Sequence, residues 1–517
     1  MRIAIPAISS YNKLSRSLTM PARIAFANML LASTLLSTAH GDEISESQKQ
    51  DSAAVRSSRP QLSAAQAAAY SYAEVLKYTG TAGSETVDPW DPLSDSLVAD
   101  VLPSPDYTVD PIAPTDGKHR FNTVQAAVNQ ATSDSALEAT RGQHRKRLYI
   151  LVKPGIYHEL LYVPATSIPI AIFGSNNDAQ LTKISANLDA AVSGADYAQR
   201  FGAQFATVDP AVKAMYASLK DRASLETAGT AVAWIKSNGF QARNITFENS
   251  YNKDHGDARS ECPPGGCKPT MINGQMQVVH HQAVALMVDG ADKVQFENVR
   301  FIGFQDTLYL KSSAIGVDAR SFFDNSYVEG DVDFIFGDTT AYFYRSEIKS
   351  LGDRSTSYVV APATNYLSKY GFVFNACKFT NDGTPNALAG KFYLARQWFH
   401  NQRCTPYAAV NVDGYSCSVG SGDGYAAPTG TISQHTLEAV GKVVILNSQI
   451  GAHIHKRQPW SNWNAKGSLA YRPVQYDSDD YWDNLIAAKI DPLQSLGYSA
   501  RSVPAIPFLA EFNNSEE

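Results

Sequence analysis

The sequence predicts an all-β protein built as a parallel β-helix, in which short strands stack coil upon coil. Three observations favour this class. From about residue 106 onward, short apolar segments alternate with turns, and no long helical pattern follows until about residue 483. A weak repeat of apolar residues around Asn-Ser or Asn-Val recurs in this region, and two acidic segments lie one repeat apart.

Composition sets the broad class. The chain has 517 residues, of which 44% are hydrophobic and 18% charged, as expected for a globular protein with a sizeable core. The net charge of −6 and the lack of a basic domain give no basis for nucleic-acid binding.

The N-terminus has the pattern of a secretory signal, assigned to residues 1–41. Basic residues precede an apolar run over 24–36, and small residues follow at 37–39. Because this run is too short for a stable membrane anchor, we expect a secreted protein, extracellular or, in a bacterium, periplasmic.

Residues 42–105 are expected to form a disordered segment, a short helix and an extended arm. The helix begins at a capping box, Ser63 to Gln66, and ends near Gly80. The β-helix domain is assigned to residues 106–517, and helical spacing at 121–128 predicts a short helix that caps its N-terminal end.

The repeat predicts the length of a coil. Apolar residues flank Asn249, Asn298, Asn325 and Asn447, and the interval from Asn298 to Asn325 is 27 residues. Asparagine at one corner of each coil predicts stacked amides that face inward. Independent Asn-rich turns in a β-sandwich remain the alternative.

The same interval brings two carboxylates together. Asp306 and Asp333 are 27 residues apart, so they should lie on neighbouring strands about 4.8 Å apart. Gln282 lies 24 residues before Asp306, which predicts a column of three side chains. Repelling carboxylates have separated pKa values, and an amide stabilises an oxyanion. These residues suit ester hydrolysis without serine, but also glycoside hydrolysis by paired carboxylates. A single aspartate would be explained equally well by turn capping.

Four segments resemble signature blocks of the pectin methylesterases, carbohydrate esterase family 8, especially its larger bacterial-type members. They are Q-A-V-A-L (282–286), G-F-Q-D-T-L-Y (303–309), V-D-F-I-F-G (332–337) and Y-L-A-R-Q-W (393–398). The resemblance extends over about residues 106–514. It implies a right-handed, pectin-lyase-like parallel β-helix that hydrolyses the C6 methyl esters of polygalacturonate.

By this resemblance, Asp333 is the nucleophile, Asp306 is the acid and later the base, and Arg396 orients Asp333. Gln282 with Gln305 is expected to stabilise the oxyanion. No metal or organic cofactor is implied, and the expected partner is pectin, bound by a monomer. The candidate substrate-binding residues are Trp398, Phe336 and Trp460, although Trp460 and its neighbour Trp463 fit ordinary packing as well.

The arginine block departs from its usual L-G-R-P-W form, since Ala395 replaces glycine and Gln397 replaces proline. We expect the missing proline to loosen the following turn, with activity retained. Two alternatives remain: an esterase or thioesterase of the same fold acting on another acyl group, and a non-catalytic carbohydrate-binding protein. The intact set of candidate catalytic residues argues against the latter.

An oxidising compartment permits disulfides, whereas the cysteine spacing does not fit a zinc site. Cys377 lies in an apolar segment and is expected to be a buried free thiol. The predicted pairs are Cys262 with Cys267 and Cys404 with Cys417.

Overall fold

The fold was analysed in a computed structural model. It describes residues 58–95, 97, 103–142, 145–251, 270–272, 275–277, 281–399, 418–420, 431–464, 470–488 and 501–517. The predicted signal segment and the four cysteines of the predicted disulfides lie outside these residues. Within the described part of the chain, no helix is long and apolar enough to cross a membrane.

Three parallel sheets form the walls of a parallel β-helix, which confirms the predicted fold class. Sheet 1 contains the strands Leu161–Val163, Ala233–Ile235, Leu286–Asp289, Leu308–Lys311, Val332–Gly337, Tyr358–Pro362, Tyr393–Arg396 and Trp460–Ser461. Sheet 2 contains Tyr107–Val109, Arg120–Phe121, Leu148–Val152, Ile170–Gly174, Gln241–Asn249, Val294–Ile302, Arg320–Asp324, Thr340–Tyr344, Phe372–Asn375, Val443–Leu446 and Leu509–Phe512. Sheet 3 contains Gly155–His158, Thr182–Ala186, Tyr327–Gly330, Glu347–Ser350, Lys378–Asn381, Gln449–Ile450 and Ser515–Glu516, together with the second halves of two bent strands from sheet 2.

Smaller antiparallel and parallel pairs lie outside these walls. They are Tyr78–Thr81 with Thr86–Val87 and Val317–Asp318, Thr270–Ile272 with Gln275–Gln277, Ser418–Gly420 with Thr431–Ser433, and Trp463–Asn464 with Ala470–Arg472.

The described helices are not part of the three sheets. Val124–Thr140 packs against the first strands as the predicted cap, but it is longer than the sequence pattern indicated. Three helices between residues 194 and 229 were not predicted, because they occur inside one coil where no repeat marks the boundaries. The α-helices are Ala64–Ala68, Tyr72–Val75, Val124–Thr140, Gly194–Phe201, Pro210–Ala217, Glu226–Gly229, Gln434–Glu438 and Ser478–Ala487, and 3₁₀ turns occur at Ala179–Leu181 and Ala387–Ala389.

A column of stacked phenylalanine side chains runs through the interior of the β-helix. Phe296, Phe323, Phe343 and Phe374 occupy equivalent positions on four successive coils of sheet 2. Their ring centroids are 4.9, 4.3 and 4.6 Å apart, close to the separation of paired strands. All four are fully buried, so this column fixes the coil register by packing as well as by backbone hydrogen bonds.

An asparagine ladder lies at the corner between sheets 2 and 3, but it differs from the prediction in two ways. Asn298 aligns with Asn244 and not with Asn249, and because their two strands pair directly, the interval of 54 residues is a single long coil. Asn298 Nδ2 donates to Asn244 Oδ1 over 2.8 Å. Asn325 and Asn447 are exposed and do not face the core as predicted, although they share the positive φ of the buried Asn244.

The segment before the β-helix is packed against it. The predicted capping box forms between Ser63 and Gln66, although its helix ends at Ala68 and a second short helix follows. Arg320, fully buried in sheet 2, donates to the side chains of Asp88 and Asp292 and to two backbone carbonyls of this segment. Because all five guanidinium N–H groups are used, the buried charge is compensated while it holds the segment in place.

Candidate active site

A cavity of about 350 Å³ lies on the outer face of sheet 1 and collects most of the predicted site residues. Five of the six polar or charged residues that line it were predicted from sequence. The described lining residues are Thr227, Gln282, Gln305, Asp306, Asp333, Phe336, Ala361, Arg396, Trp398, Phe399 and Trp463.

The two aspartates lie on adjacent coils, as their spacing predicted. Leu308 pairs with Ile335, so Asp306 and Asp333, each two residues earlier, occupy equivalent positions. Both have left-handed backbone conformations, with φ of 65° and 53°. This conformation is costly for most residues but accessible to aspartate, and such strain is typical of functional sites.

Glycine is required at the end of the strand Val332–Gly337, where its backbone passes close to the paired strand Leu308–Lys311. Gly337 has a φ of 136°, and a Cβ there would lie 1.8 Å from the carbonyl oxygen of Leu310. No other residue fits this approach, which explains the glycine that ends the V-D-F-I-F-G segment.

Arg396 holds Asp333 through two hydrogen bonds. Nε donates to Oδ1 over 2.7 Å and Nη2 donates to Oδ2 over 2.5 Å. The guanidinium lies between two rings, 4.0 Å from the centroid of Tyr358 and 4.4 Å from that of Trp463. This bidentate, stacked arrangement suits arginine and not lysine, and it fixes the orientation of the carboxylate.

Asp306 has a different environment from Asp333. Burial raises the pKa of Asp306 well above its ordinary value, and the neighbouring charge of Asp333 raises it further, against the opposing effects of Arg396 and Arg354. Asp306 therefore retains its proton in conditions where an exposed aspartate would have lost it. One buried proton donor beside one oriented carboxylate is the division of roles that acid-assisted nucleophilic catalysis requires.

Gln282 and Gln305 meet at the cavity, although the predicted coil interval for Gln282 was wrong. This coil is 22 residues long, because Leu286 pairs with Leu308, so Val284 aligns with Asp306. Gln282 nevertheless reaches the site, since the Ala283 amide donates to the carbonyl oxygen of Gln305 over 3.0 Å. Both side-chain amides thus lie on the cavity wall beside the aspartates.

Sequence reasoning missed a charged pair behind Gln305. Arg354 donates from Nε and Nη2 to both carboxylate oxygens of Asp331, each over 2.7 Å, and from Nη1 to Gln305 Oε1 over 3.0 Å. Coil spacing could have indicated Tyr358, which follows Val332 by one 26-residue coil. It gave no signal for Arg354, which lies in the turn before that strand.

The predicted aromatic residues divide into two groups. Phe336 and Trp398 line the cavity, and Phe336 stacks on Tyr309 with a centroid distance of 4.2 Å. Trp460, in contrast, does not line the cavity and packs in the interior core, so the prediction that it binds substrate is not supported. Trp463, three residues later, lines the cavity in its place.

The altered arginine block is anchored where it was expected to be loose. The Gln397 side chain is buried and donates from Nε2 to the carbonyl oxygens of Gly441 and Gln475, while its Oε1 accepts from the Gln475 amide. The Trp398 amide donates to the carbonyl oxygen of Pro362. Gln397 lies between Arg396 and Trp398, and these hydrogen bonds hold the backbone there as a proline at position 397 would.

These features define a class of protein: a parallel β-helix hydrolase with a carboxylate pair, an arginine clamp and two amide donors. The sequence model of the pectinesterase family matches residues 268–437. A pectinesterase of Ralstonia solanacearum is 32% identical over 82% of this chain and 89% of its own length. The chain belongs to the pectinesterase family and is an esterase.

Solved structures agree with this assignment. Rice weevil pectin methyl esterase is 26% identical, with a TM-score of 0.60, 89% of this chain covered and 98% of the other. Escherichia coli YbhC has a TM-score of 0.61 at 26% identity, with coverage of 89% and 95%. In a sequence comparison, YbhC is 30% identical over 65% of this chain and 72% of its own length, and it is described as a putative acyl-CoA thioester hydrolase.

Proposed function

We propose that this esterase hydrolyses the C6 methyl esters of polygalacturonate through an acyl-enzyme on Asp333. One observation carries the proposal: an aspartate held by a bidentate arginine beside a buried aspartate with a strongly raised pKa. Each carboxyl group then has its own task, and neither a serine nor a metal is needed.

In the first half-reaction, a carboxylate oxygen of Asp333 attacks the ester carbonyl carbon. The developing oxyanion accepts hydrogen bonds from the amides of Gln282 and Gln305. As the C–O bond to the leaving group breaks, Asp306 gives its proton to that oxygen, and methanol departs. The products of this step are an anhydride between Asp333 and the sugar carboxyl group, and an ionised Asp306.

In the second half-reaction, Asp306 accepts a proton from water as the water oxygen attacks the anhydride. Collapse of the intermediate releases the galacturonate carboxyl group and regenerates the Asp333 carboxylate, with Asp306 protonated again. In the first step, Arg396 orients the charged carboxylate of Asp333 toward the ester carbonyl carbon through its two hydrogen bonds. In the second step, the same guanidinium stabilises the negative charge that returns to Asp333 as its carboxylate leaves.

Thioester hydrolysis is the second candidate, favoured by the likeness to YbhC, a protein described as an acyl-CoA thioester hydrolase. The cavity supports the sugar substrate better. Trp398 and Trp463 are half-buried at its wall, where an aromatic face can stack on a sugar ring. We further propose a secreted protein that acts on pectin as a monomer; these remain predictions.

Methanol release from highly esterified pectin tests the proposal. We expect the wild type to be active and Asp333→Ala to lose at least a thousandfold in kcat, because the nucleophile is gone. Asp338→Asn is a matched control, since Asp338 lies five residues later, hydrogen-bonds to Ser312 and does not line the cavity. A folded wild type that releases no methanol but hydrolyses acyl-CoA would overturn the substrate assignment. Undiminished release by Asp333→Ala would overturn the nucleophile assignment.

A further inference from the structure

Gln305 is held from behind by a charged group that does not line the cavity. Arg354 donates from Nη1 to Gln305 Oε1 over 3.0 Å. A guanidinium carries only donors, so the amide oxygen of Gln305 must face it. The NH₂ group of that amide consequently points the other way, toward the cavity that Gln305 lines. Without Arg354, the amide could present either end to the substrate.

The backbone of Gln305 is fixed as well. Its carbonyl oxygen accepts from the Ala283 amide on the preceding coil. The next residue, Asp306, has a left-handed φ of 65°, and its amide donates to the carbonyl oxygen of Val332 over 3.1 Å. With the main chain held on both sides, the remaining freedom of Gln305 is in its side-chain torsions, which the contact with Arg354 restricts.

The side chain of Arg354 is 26% exposed, so it can orient Gln305 only if another contact holds it in place. Asp331 makes that contact. This carboxylate is completely buried, accepts two hydrogen bonds from Arg354, and accepts a third at Oδ1 from the Val332 amide over 2.6 Å. Ser357 Oγ and the Tyr358 amide donate to the carbonyl oxygen of Asp331. The arginine is therefore attached to the residue that immediately precedes the strand carrying Asp333.

We propose that Arg354 is a positioning residue: anchored on Asp331, it turns the amide of Gln305 so that its N–H groups face the developing oxyanion. The proposal rests on the proposed ester hydrolysis, and it adds to the site two residues, Arg354 and Asp331, that lie behind the cavity wall. It assigns Arg354 no contact with substrate. The benefit is catalytic, since a donor already oriented toward the oxyanion needs no reorganisation as charge develops.

The charge of Arg354 has a second, independent effect. The charged groups that face Asp306 are Asp333, Arg396, Arg354 and Asp331, and the two arginines lower its pKa against burial and the two carboxylates. Loss of the Arg354 charge should raise the pKa of Asp306 further. The alkaline limb of the kcat/KM profile should then move to higher pH, because Asp306 must be protonated to release methanol.

A double-mutant cycle with Gln305→Ala, Arg354→Met and the double variant tests the proposal on esterified pectin. We expect Gln305→Ala to lower kcat about 100-fold, as removal of one oxyanion donor typically does. Arg354→Met should lower kcat at least tenfold with little change in KM. In the Gln305→Ala background, the same Arg354→Met change should cost less than threefold, since there is no amide left to orient.

Two further measurements separate positioning from folding. Arg354→Lys keeps the charge but cannot hold Asp331 and Gln305 together, so it should lose kcat without moving the alkaline limb. Circular dichroism and urea unfolding at the assay pH identify variants that lose structure. Equal losses on Arg354→Met in both Gln305 backgrounds would overturn the proposal, as would an unimpaired Arg354→Met. Neither result would affect the assignment of Asp333, which rests on its own variant.

Discussion

Replacing Arg396 by lysine separates the geometry of the arginine clamp from its charge. Arginine makes two hydrogen bonds to Asp333 and lies between two aromatic rings. Lysine keeps the positive charge, but it offers a compact ammonium that can bond one carboxylate oxygen and cannot stack as a plane.

The expected loss follows from these contacts. One charge-assisted hydrogen bond contributes about 1.5–3 kcal/mol. The stacked contacts contribute roughly 0.5–1 kcal/mol more at a partly exposed position. If these contacts stabilise the transition state, their loss raises the activation free energy by about 2–4 kcal/mol. At 1.36 kcal/mol for each factor of ten, kcat then falls roughly 30- to 1,000-fold.

The assay is methanol release from highly esterified pectin, measured at saturating substrate so that kcat is read directly. Urea unfolding of Arg396→Lys and wild type under the same conditions reports any loss of folded protein. A folded Arg396→Lys enzyme with less than a threefold loss in kcat would refute the reasoning, because it would show that charge alone keeps Asp333 productive.

Two further predictions concern stability. Gln397→Ala should lower the free energy of unfolding by roughly 1.5–4 kcal/mol in urea, because three buried hydrogen bonds are lost; an unchanged value would contradict the anchoring role of this side chain. Glu159, buried at the start of the helix Val124–Thr140, has a pKa raised to about 7 by burial, against hydrogen bonds from the amides of Gln125 and Val124. The native state therefore binds more protons than the unfolded chain between about pH 4.5 and 7, and stability falls as pH rises through this range. Glu159→Gln should remove up to about 3 kcal/mol of the difference between unfolding free energies at pH 5 and pH 8, and equal pH dependence in both proteins would contradict the raised pKa.

The accuracy of the sequence predictions depended on whether a residue lies within a regular coil. The interval between Asn298 and Asn325 predicted the pairing of Asp306 with Asp333, because strand pairing preserves coil length. It failed for Asn249, where an apolar segment with Asn-Ser lies five residues after the true ladder position, Asn244. A local pattern could not tell the corner of a coil from the end of its long strand.

The parts of the site that were missed depend on tertiary contacts. Arg354 lies in a turn with no repeat pattern, and only the fold brings it to Asp331 and Gln305. Gln397 was interpreted through the proline it replaces, yet its three hydrogen bonds are made to two residues that lie 44 and 78 positions away in the chain. The choice between Trp460 and Trp463 could not be made from sequence either, because it depends on which ring faces the core.

The coil intervals along sheet 1 have a consequence for protein engineering. Successive strands are separated by 72 residues between Leu161 and Ala233, but by 27 between Leu308 and Ile335. The long intervals show that whole helices can be inserted at a corner while strand register is kept. Between Asp306 and Asp333, in contrast, one added residue would shift the register of the paired strands or change the left-handed backbone conformation of one of these aspartates. Loop grafts to change substrate preference therefore belong in the long coils, and the Asp306–Asp333 coil should keep its length.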